Sequence, residues 1–438
     1  TRPPGDGRKI PFLNARWRSF KPLDALVSAV LVLGLGVLVC HLFARWHIPG
    51  LLGLIVLGIA LGDAGLGILA PAFLALSGDI GALALILILL RAGIGLDRSG
   101  LHGLGRATWL LGTWPLALEA LLLLAGTRIA FRLPAAEAAM AALIVASAAP
   151  AIIIPAMLSL QARGVGAHHH VPSIVLAATS IENVLAVTLF GALAAAVSGT
   201  GEGALHLAAL LQVPLRLAAG ALLGLAGGYG LALLLRRGPL QRPVERLCLV
   251  LCTTIGIALG GERLGAAGYA AVVLSGMLIR ERAPEDTAAI SRHLEGLWYI
   301  VQIVLFVTIG AKADLATIGQ VGMPGLALIA VGLAGRALGA GLALQRTALS
   351  SKERAYASLA LSPKATVQAA IGGVPLAMGL PSGDMILALS ILAIVVTGPL
   401  GACAIDLLAP RWLATRSDGA PSPATIRLSS RRAEHRPG

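Results

Sequence analysis

Residues 147–190 read SAAPAIIIPAMLSLQARGVGAHHHVPSIVLAATSIENVLAVTLF, and this stretch decides how the chain folds. Two prolines, Pro150 and Pro155, interrupt one long apolar segment, and the next apolar segment carries Glu182 and Asn183 near its middle. A proline inside a membrane helix frees backbone carbonyls that lipid cannot satisfy, so it is tolerated where protein or a water-filled cavity covers it. An ionisable side chain at the same depth indicates a functional site. A broken helix beside a buried carboxylate is typical of the core of a secondary transporter.

The composition of the whole chain fits a protein that crosses a membrane many times. Of the 438 residues, 57% are hydrophobic and 13% are charged, and the mean hydropathy is +0.86. Soluble domains carry about a quarter charged residues. Apolar runs of about 18–25 residues predict membrane helices rather than the strands of a β-barrel. The formal charge of +13 does not indicate a nucleic-acid partner, because the basic residues lie in short loops and tails.

Thirteen apolar segments predict an all-α polytopic membrane protein, with its transmembrane domain at residues 22–410. The segments are 22–43, 49–67, 77–97, 105–127, 136–160, 171–198, 204–235, 244–261, 266–280, 294–311, 323–345, 353–379 and 384–409. Residues 1–21 are predicted to form a basic N-terminal tail. Residues 411–438, which are rich in Ser, Pro and Arg, are predicted to form a disordered basic tail.

The distribution of Lys and Arg sets the expected orientation. When the C-terminus is placed in the cytoplasm, twenty basic residues fall in the inner loops and the C-terminal tail, and four fall in the outer loops. This asymmetry follows the positive-inside rule. The six basic residues of the N-terminal tail then lie outside, which leaves open a further preceding span or a tolerated exception. The expected location is a bacterial inner (plasma) membrane.

Four ionisable residues lie deep inside the apolar segments. They are Glu119 (in WPLALEALLLLAG), Glu182, Arg336 (in VGLAGRALGAGL) and Lys364 (in LSPKATVQAAIGG). Charged groups inside a membrane must pair with one another or line water, since each is costly alone. Two acids and two bases in one membrane domain therefore predict a shared polar centre.

The two halves of the chain repeat one pattern in opposite orientation. In the first half, a broken segment at Pro150 follows a segment that carries Glu119. In the second half, a break at Pro363–Lys364 follows a segment that carries Arg336. The broken segments are the fifth and the twelfth, so they run in opposite directions. This pattern predicts inverted repeats whose broken helices cross near the membrane midplane, where Lys364 would offset negative helix ends. Two unrelated proline kinks are the alternative.

Four motifs carry a resemblance to a known family. They are LRAGIGLD (90–97), APAIIIPAML (149–158), the run at 163–191 and SPKATVQAAIG (362–372). Through these motifs the chain resembles the cation/proton antiporter superfamily, and in particular its NHA branch of sodium/proton antiporters. The resemblance implies a fold of thirteen or fourteen helices with two crossing broken helices. It also implies exchange of Na⁺ or Li⁺, with K⁺ as a further candidate, for protons.

The resemblance further implies a homodimer in which each subunit has two domains. Core helices that bind the ion are expected at about 77–198 and 294–410, and dimerisation helices at about 22–67 and 204–280. In such antiporters the core moves against the dimerisation domain in elevator-like alternating access. The implied partners are membrane lipids, protons, a monovalent cation and a second copy of the chain.

The resemblance places the ion site at Glu182 and Asn183, where relatives carry two aspartates. The second aspartate is the residue that binds the ion and the proton in relatives, so Asn183 departs from the family pattern. We expect Glu182 to act alone, because a carboxylate in low-dielectric surroundings holds either a proton or a cation, and not favourably both. Thr179, Ser180 and the Asn183 carbonyl are the expected neutral ligands. Ala149 replaces the serine of the first crossover, so one hydroxyl ligand is absent.

Three more residues match charged positions of the family. Glu119 and Arg336 match positions that form an ion pair in relatives, and this pair is expected to hold the core together. Lys364 matches the basic residue of the second crossover. One alternative stays open, namely a salt bridge between Glu182 and Lys364 in a sensor-like or transport-impaired protein. The Glu-Asn pair also leaves open an exchanger of a substrate other than sodium.

Three adjacent histidines, His168, His169 and His170, lie in an inner loop just before the segment that carries Glu182. Histidine changes charge near neutral pH, so these residues are candidates for pH sensing. A solvated loop without a special role is the alternative. A metal site is not expected there, because consecutive side chains diverge.

Other functional classes lack their sequence signatures. A membrane enzyme would need a nucleophile with its base or a metal motif, and the chain contains no HExxH or GxSxG motif and no pair of catalytic aspartates. A channel tolerates kinked helices but does not need an inverted repeat with charges at the crossing. We therefore expect a transporter without a cofactor or catalytic residues.

Overall fold

A computed structural model describes residues 24–45, 50–96, 105–200, 212–237 and 242–413. The predicted N-terminal tail lies outside these ranges, as does the predicted C-terminal tail beyond residue 413.

The described chain is helical, with helices joined by short turns. Its helices are α1 (Ala25–Arg45), α2 (Gly50–Leu61), α3 (Pro71–Ala75), α4 (Ser77–Gly95), α5 (Gly105–Ala130), α6 (Ala135–Ala146), α7 (Pro150–Ala162), α8 (Val171–Thr200), α9 (Val213–Arg237), α10 (Pro243–Arg263), α11 (Gly268–Arg282), α12 (Pro284–Ala311), α13 (Leu315–Leu344), α14 (Ser351–Ala360), α15 (Thr366–Ile371), α16 (Val374–Ala377) and α17 (Gly383–Trp412).

The predicted segments have helical counterparts. Ten stretches of the described chain are long and apolar enough to cross a membrane, and one of them is formed by α6 and α7 together. The other three predicted segments correspond to α2, to α11 and to the broken series α14–α16. The all-α membrane fold is therefore confirmed.

Both predicted helix breaks are present. The first separates α6, which ends at Ala146, from α7, which begins at Pro150. The second separates α14, which ends at Ala360, from α15, which begins at Thr366. Pro150 is the first residue of its helix, where the missing N–H has no partner to lose and the fixed φ suits the helix.

The prediction that Pro155 also interrupts the backbone is wrong. Pro155 lies inside α7, which continues to Ala162. A proline in a helix removes one backbone hydrogen bond and can bend the helix without ending it. The flanking turns of α7 retain their own bonds, and Pro150 alone marks the break.

The helices approach one another through small residues. Gly58 of α2 and Gly310 of α12 face each other, and a Cβ atom at Gly310 would overlap the carbonyl oxygen of Ile55. Gly339 of α13 lies in the same way against Trp114 and the following proline of α5. Membrane helices gain little from burying apolar surface against lipid, so close backbone packing is the main attraction between them.

The helices pack in two groups that share α4 and α12. In one group α13 packs along α5, and α6, α8 and α17 complete the layer. In the other, α9 packs along α11 with α10 beside them, and α1 and α2 pack against α12. Helices α4 and α12, which the resemblance assigned to the core, pack most extensively against α11 and α2. They also contact α15. Any boundary between a core and a dimerisation domain therefore follows these two helices.

We expect Gly310→Ala to destabilise the protein by about 1–3 kcal/mol, because the new methyl group must displace backbone in a tightly packed contact. Thermal unfolding in detergent, followed by tryptophan fluorescence, measures the change. Gly319→Ala is the matched control, because nothing lies within 4 Å of a Cβ atom there. In that helix the same change should be neutral or stabilise by about 1 kcal/mol. Equal effects of the two substitutions would show that the α2–α12 contact is looser than described.

Candidate functional site

Four buried charges converge where the two broken helices meet. Glu119 on α5, Glu182 on α8, Arg336 on α13 and Lys364 in the break before α15 are each at most 1% exposed. The predicted shared polar centre is therefore present in the structure. Its members come from both halves of the chain, so it joins the two halves.

Arg336 binds both carboxylates of this network. Its Nη2 and Nη1 atoms lie 2.6 Å and 3.1 Å from the two oxygens of Glu182, in a forked arrangement. Its Nε atom donates to Glu119 Oε2, so the expected contact between Glu119 and Arg336 is present. Nη2 also donates to the carbonyl of Ala146, the last residue of α6. A planar guanidinium can serve several acceptors in this way because its N–H groups point in fixed directions.

Lys364 pairs with Glu119 rather than with Glu182. Its Nζ atom lies 2.9 Å from Glu119 Oε2 and 2.8 Å from the Ala146 carbonyl oxygen. The alternative of a Glu182–Lys364 salt bridge is therefore wrong. The fork of Arg336 already spans both oxygens of Glu182, and the ammonium group is satisfied by the two other acceptors. With two acids and two bases, the formal charges of the network cancel.

The backbone ends of the two breaks bind each other and the network. The N–H group of Ala149 donates to the Pro363 carbonyl at 2.8 Å, which ties one break directly to the other. The N–H group of Ala148 donates to Glu182 Oε1 at 2.8 Å. The Ala146 carbonyl, at the other side of the first break, accepts hydrogen bonds from the cations Arg336 and Lys364. The carboxylate thus lies by the positive start of α7 and the cations lie by the negative end of α6, as the helix dipoles favour.

Two polar residues of the second break were missed by the sequence analysis. Gln368 donates from Nε2 to the carbonyls of Ile144 and Ser147, at 2.8 Å and 2.7 Å. Thr366 accepts from the N–H group of Ala151 at 3.2 Å. Both side chains satisfy backbone groups that the first break exposes. Their signal in the sequence was polarity within an apolar segment, directly after the Pro363–Lys364 break.

The proposed neutral ligands lie on α8 around Glu182. Thr179 and Ser180 donate their hydroxyl hydrogens to carbonyls one turn earlier in α8, at 2.8 Å and 3.0 Å. Asn183 donates from Nδ2 to the Thr179 carbonyl at 2.7 Å. Its Oδ1 atom is buried and has no hydrogen-bond partner among the described residues, as is also true of Oε1 of Gln368. These two amide oxygens remain free to accept a donor or a cation.

The three histidines lie at the start of α8, away from the charge network. His169 Nδ1 is 2.9 Å from each carboxylate oxygen of Glu353 on α14. The rings of His168 and His169 meet edge to face with centroids 4.4 Å apart. The structure therefore places the histidine loop against α14, at the end of the bundle where α5 begins and α13 ends.

We expect Lys364→Met to destabilise the protein by about 3–5 kcal/mol, because it leaves two buried carboxylates with one cation. The charge-balanced double variant Glu119→Gln/Lys364→Met should recover a large part of that loss. Chemical unfolding in detergent, read by tryptophan fluorescence, compares the two. Additive losses in the double variant would contradict charge balance as the main constraint.

The family model and two known proteins that match this chain are described as sodium/hydrogen exchangers. A family model described as "Sodium/hydrogen exchanger, transmembrane" matches residues 27–408. Sodium/hydrogen exchanger 9B1 of Homo sapiens is 28% identical over 370 residues, which cover 81% of this chain and 69% of that protein. Sodium/hydrogen exchanger 9B2 of Homo sapiens is 29% identical over 350 residues, which cover 77% and 64%.

A solved structure shares the fold. The sodium proton antiporter MjNhaP1 from Methanocaldococcus jannaschii at pH 8 superimposes with a TM-score of 0.74 at 22% sequence identity. The superposition covers 89% of this chain and 98% of that chain.

Proposed function

The chain belongs to the sodium/hydrogen exchanger family, and on that premise we propose that it exchanges a monovalent cation for protons across a membrane. The family assignment agrees with the resemblance found in the sequence. The named relatives are exchangers rather than enzymes. Na⁺ and Li⁺ are the proposed cations, and K⁺ is a further candidate. The observation that carries the proposal is Glu182, a fully buried carboxylate held where the two broken helices cross.

Charge balance explains how Glu182 would select between a proton and a cation. In the described state Arg336 neutralises Glu182 within a network of zero net charge. A proton or a monovalent cation on Glu182 adds one positive charge to this network in either case. A proton and a cation bound together would leave two uncompensated positive charges in low-dielectric surroundings. Binding of one therefore excludes binding of the other. This competition is sufficient for exchange of one cation for one proton.

Oxygen atoms near Glu182 along α8 support cation binding. Alkali cations are hard and prefer oxygen ligands, as calcium and magnesium do. Oδ1 of Asn183 is buried without a partner, and the hydroxyl oxygens of Thr179 and Ser180 can still accept or coordinate. We propose these three as the neutral ligands that accompany the Glu182 carboxylate.

The two packing groups support elevator-like movement within a homodimer. The group around α5, α8 and α13 carries the charge network and would move as the core. Among the ten candidate membrane spans of the described chain, α1, α9 and α10 have the least buried apolar 18-residue windows, with 17%, 28% and 22% of the residues buried. Their apolar faces must meet lipid or a second copy, so we propose them as the dimerisation face. The positive-inside bias supports a C-terminus in the cytoplasm.

A second candidate function is a sensor-like or transport-impaired protein with the same fold. The observation in its favour is that both oxygens of Glu182 already have partners in Arg336 and the Ala148 N–H group. The residue after Glu182 is Asn183, so no carboxylate next to Glu182 in the sequence could bind the proton or the cation in its place. If Arg336 does not release Glu182, no cation can enter.

We expect Glu182→Gln to abolish cation-dependent proton movement, because an amide carries no negative charge to attract a proton or a cation. Proteoliposomes with an internal pH-sensitive dye measure the movement after Na⁺, Li⁺ or K⁺ is added outside. Glu285→Gln, at an exposed position of α12, is the matched control. Undiminished exchange in the Glu182 variant would refute the assigned role. No response of the native protein to any of the three cations would favour the second candidate.

We expect exchange to be electroneutral, because a bound proton and a bound monovalent cation each add one positive charge to the same network. The rate in proteoliposomes should not change when a thiocyanate gradient sets the membrane potential. A rate that rises or falls with the potential would show that more than one charge moves per cation. Loss of a proton from Lys364 during transport would be the source to examine first.

A further inference from the structure

A large basic cavity opens at the end of the bundle where α5 and α8 begin and α13 ends. Its volume is about 700 Å³. The titratable side chains among its lining residues are Arg106, Arg346, His168, His169 and His170. Within the described part of the chain, no aspartate or glutamate lines it. The lining is therefore positively charged.

The histidine loop is folded so that three consecutive residues face one cavity. Gly164 and Gly166 both have φ of +69°, and His170 has φ of +53°. A non-glycine residue seldom adopts a left-handed backbone, and such conformations persist where the surrounding structure fixes them. Consecutive side chains diverge in a regular helix or strand. This tight turn instead brings all three histidine residues to the lining of the cavity.

Hydrogen bonds outside the cavity hold its walls in place. His169 is anchored to Glu353, which also accepts from the Ser350 N–H group at 2.7 Å. Arg354 donates to the Thr347 carbonyl at 3.0 Å, which fixes the turn that follows α13. Arg346 lies in that turn. The basic side chains are thus carried on a preformed frame rather than on a loose loop.

The two arginines of the cavity have no counter-ion in the described structure. Neither Arg106 nor Arg346 makes an ion pair with a described residue, and both are exposed. Guanidinium groups match the oxygens of phosphate in forked hydrogen bonds. The cavity is larger than inorganic phosphate requires, and Leu110 and Ile174 add an apolar wall. These features together fit an organic molecule that carries phosphate.

We propose that this basic cavity binds a phosphate-bearing organic anion, with Arg106 and Arg346 as its principal ligands and the three histidines as further donors. The phosphate can belong to a lipid headgroup or to a soluble molecule, since both present the same oxygens. The site lies on the same three helices that carry Glu119, Glu182 and Arg336. Its ligand would therefore tie together the ends of α5, α8 and α13 without entering the ion site.

Binding is tested on the purified full chain through its thermal unfolding midpoint. In detergent, sodium pyrophosphate is compared with sodium chloride at equal sodium concentration, with choline chloride added to the chloride sample to equalise the ionic strength. In nanodiscs, phosphatidylglycerol is compared with phosphatidylcholine. The variant Arg106→Gln/Arg346→Gln removes the proposed ligands. The variant Arg236→Gln/Arg237→Gln removes the same charge from the end of α9 and serves as the control.

Pyrophosphate should raise the midpoint of the native chain and of the control. The Arg106→Gln/Arg346→Gln variant should need at least about tenfold more pyrophosphate, because two charge-assisted contacts are lost. Stabilisation only in phosphatidylglycerol, lost in the same variant, would support the site and identify a lipid source. Equal stabilisation of the native chain, the variant and the control would overturn the proposal. So would the absence of stabilisation both by pyrophosphate in detergent and by phosphatidylglycerol in nanodiscs. Exchange activity does not enter this readout, so the result is independent of the proposed function.

Discussion

The structure depends on charge neutrality in a place that water does not reach. Glu119, Glu182, Arg336 and Lys364 are buried, and their formal charges cancel. Inside a membrane an unpaired charge is costly, so each of these residues requires the others. Because they lie on α5, α8, α13 and the second helix break, the network fixes how the two halves of the chain meet. The same balance makes the site sensitive to one added positive charge, which is the property that an exchanger needs.

The broken helices and the charge network stabilise each other. A helix that stops in mid-membrane leaves N–H and carbonyl groups without partners, and lipid supplies none. Here the Ala146 carbonyl is bound by Arg336 and Lys364, and the Ala148 N–H group is bound by Glu182. The charged side chains gain hydrogen bonds from the breaks in return. The contact of Ala149 with Pro363 completes the crossing, so the breaks and the charges form a single unit.

The residue beside Glu182 is an amide, and this sets the charge balance of the site. With Asn183 in the place of a second acid, Glu182 is the carboxylate of the pair, and Arg336 takes both of its oxygens. In the proposed exchange, Arg336 thus holds the position that a transported cation would need. The same helices extend to the basic cavity, where Arg106 and Arg346 remain without acidic partners in the described chain. Charge is compensated inside the bundle, where the transport site is proposed, and uncompensated at its end, where the anion site is proposed.

The sequence by itself determined the helices, both helix breaks and the need for a shared polar centre. These follow from local properties, namely the length of apolar runs, the backbone limits of Pro150 and Pro363, and the cost of a charge in lipid. Only the tertiary structure decided which charges pair, because Arg336 and Glu182 lie 154 residues apart and several partners satisfied the same charge count. Gln368 and the turn that gathers three histidines were likewise decided by packing. Pro155 shows the limit of local rules, since one lost hydrogen bond does not end a helix whose other bonds remain.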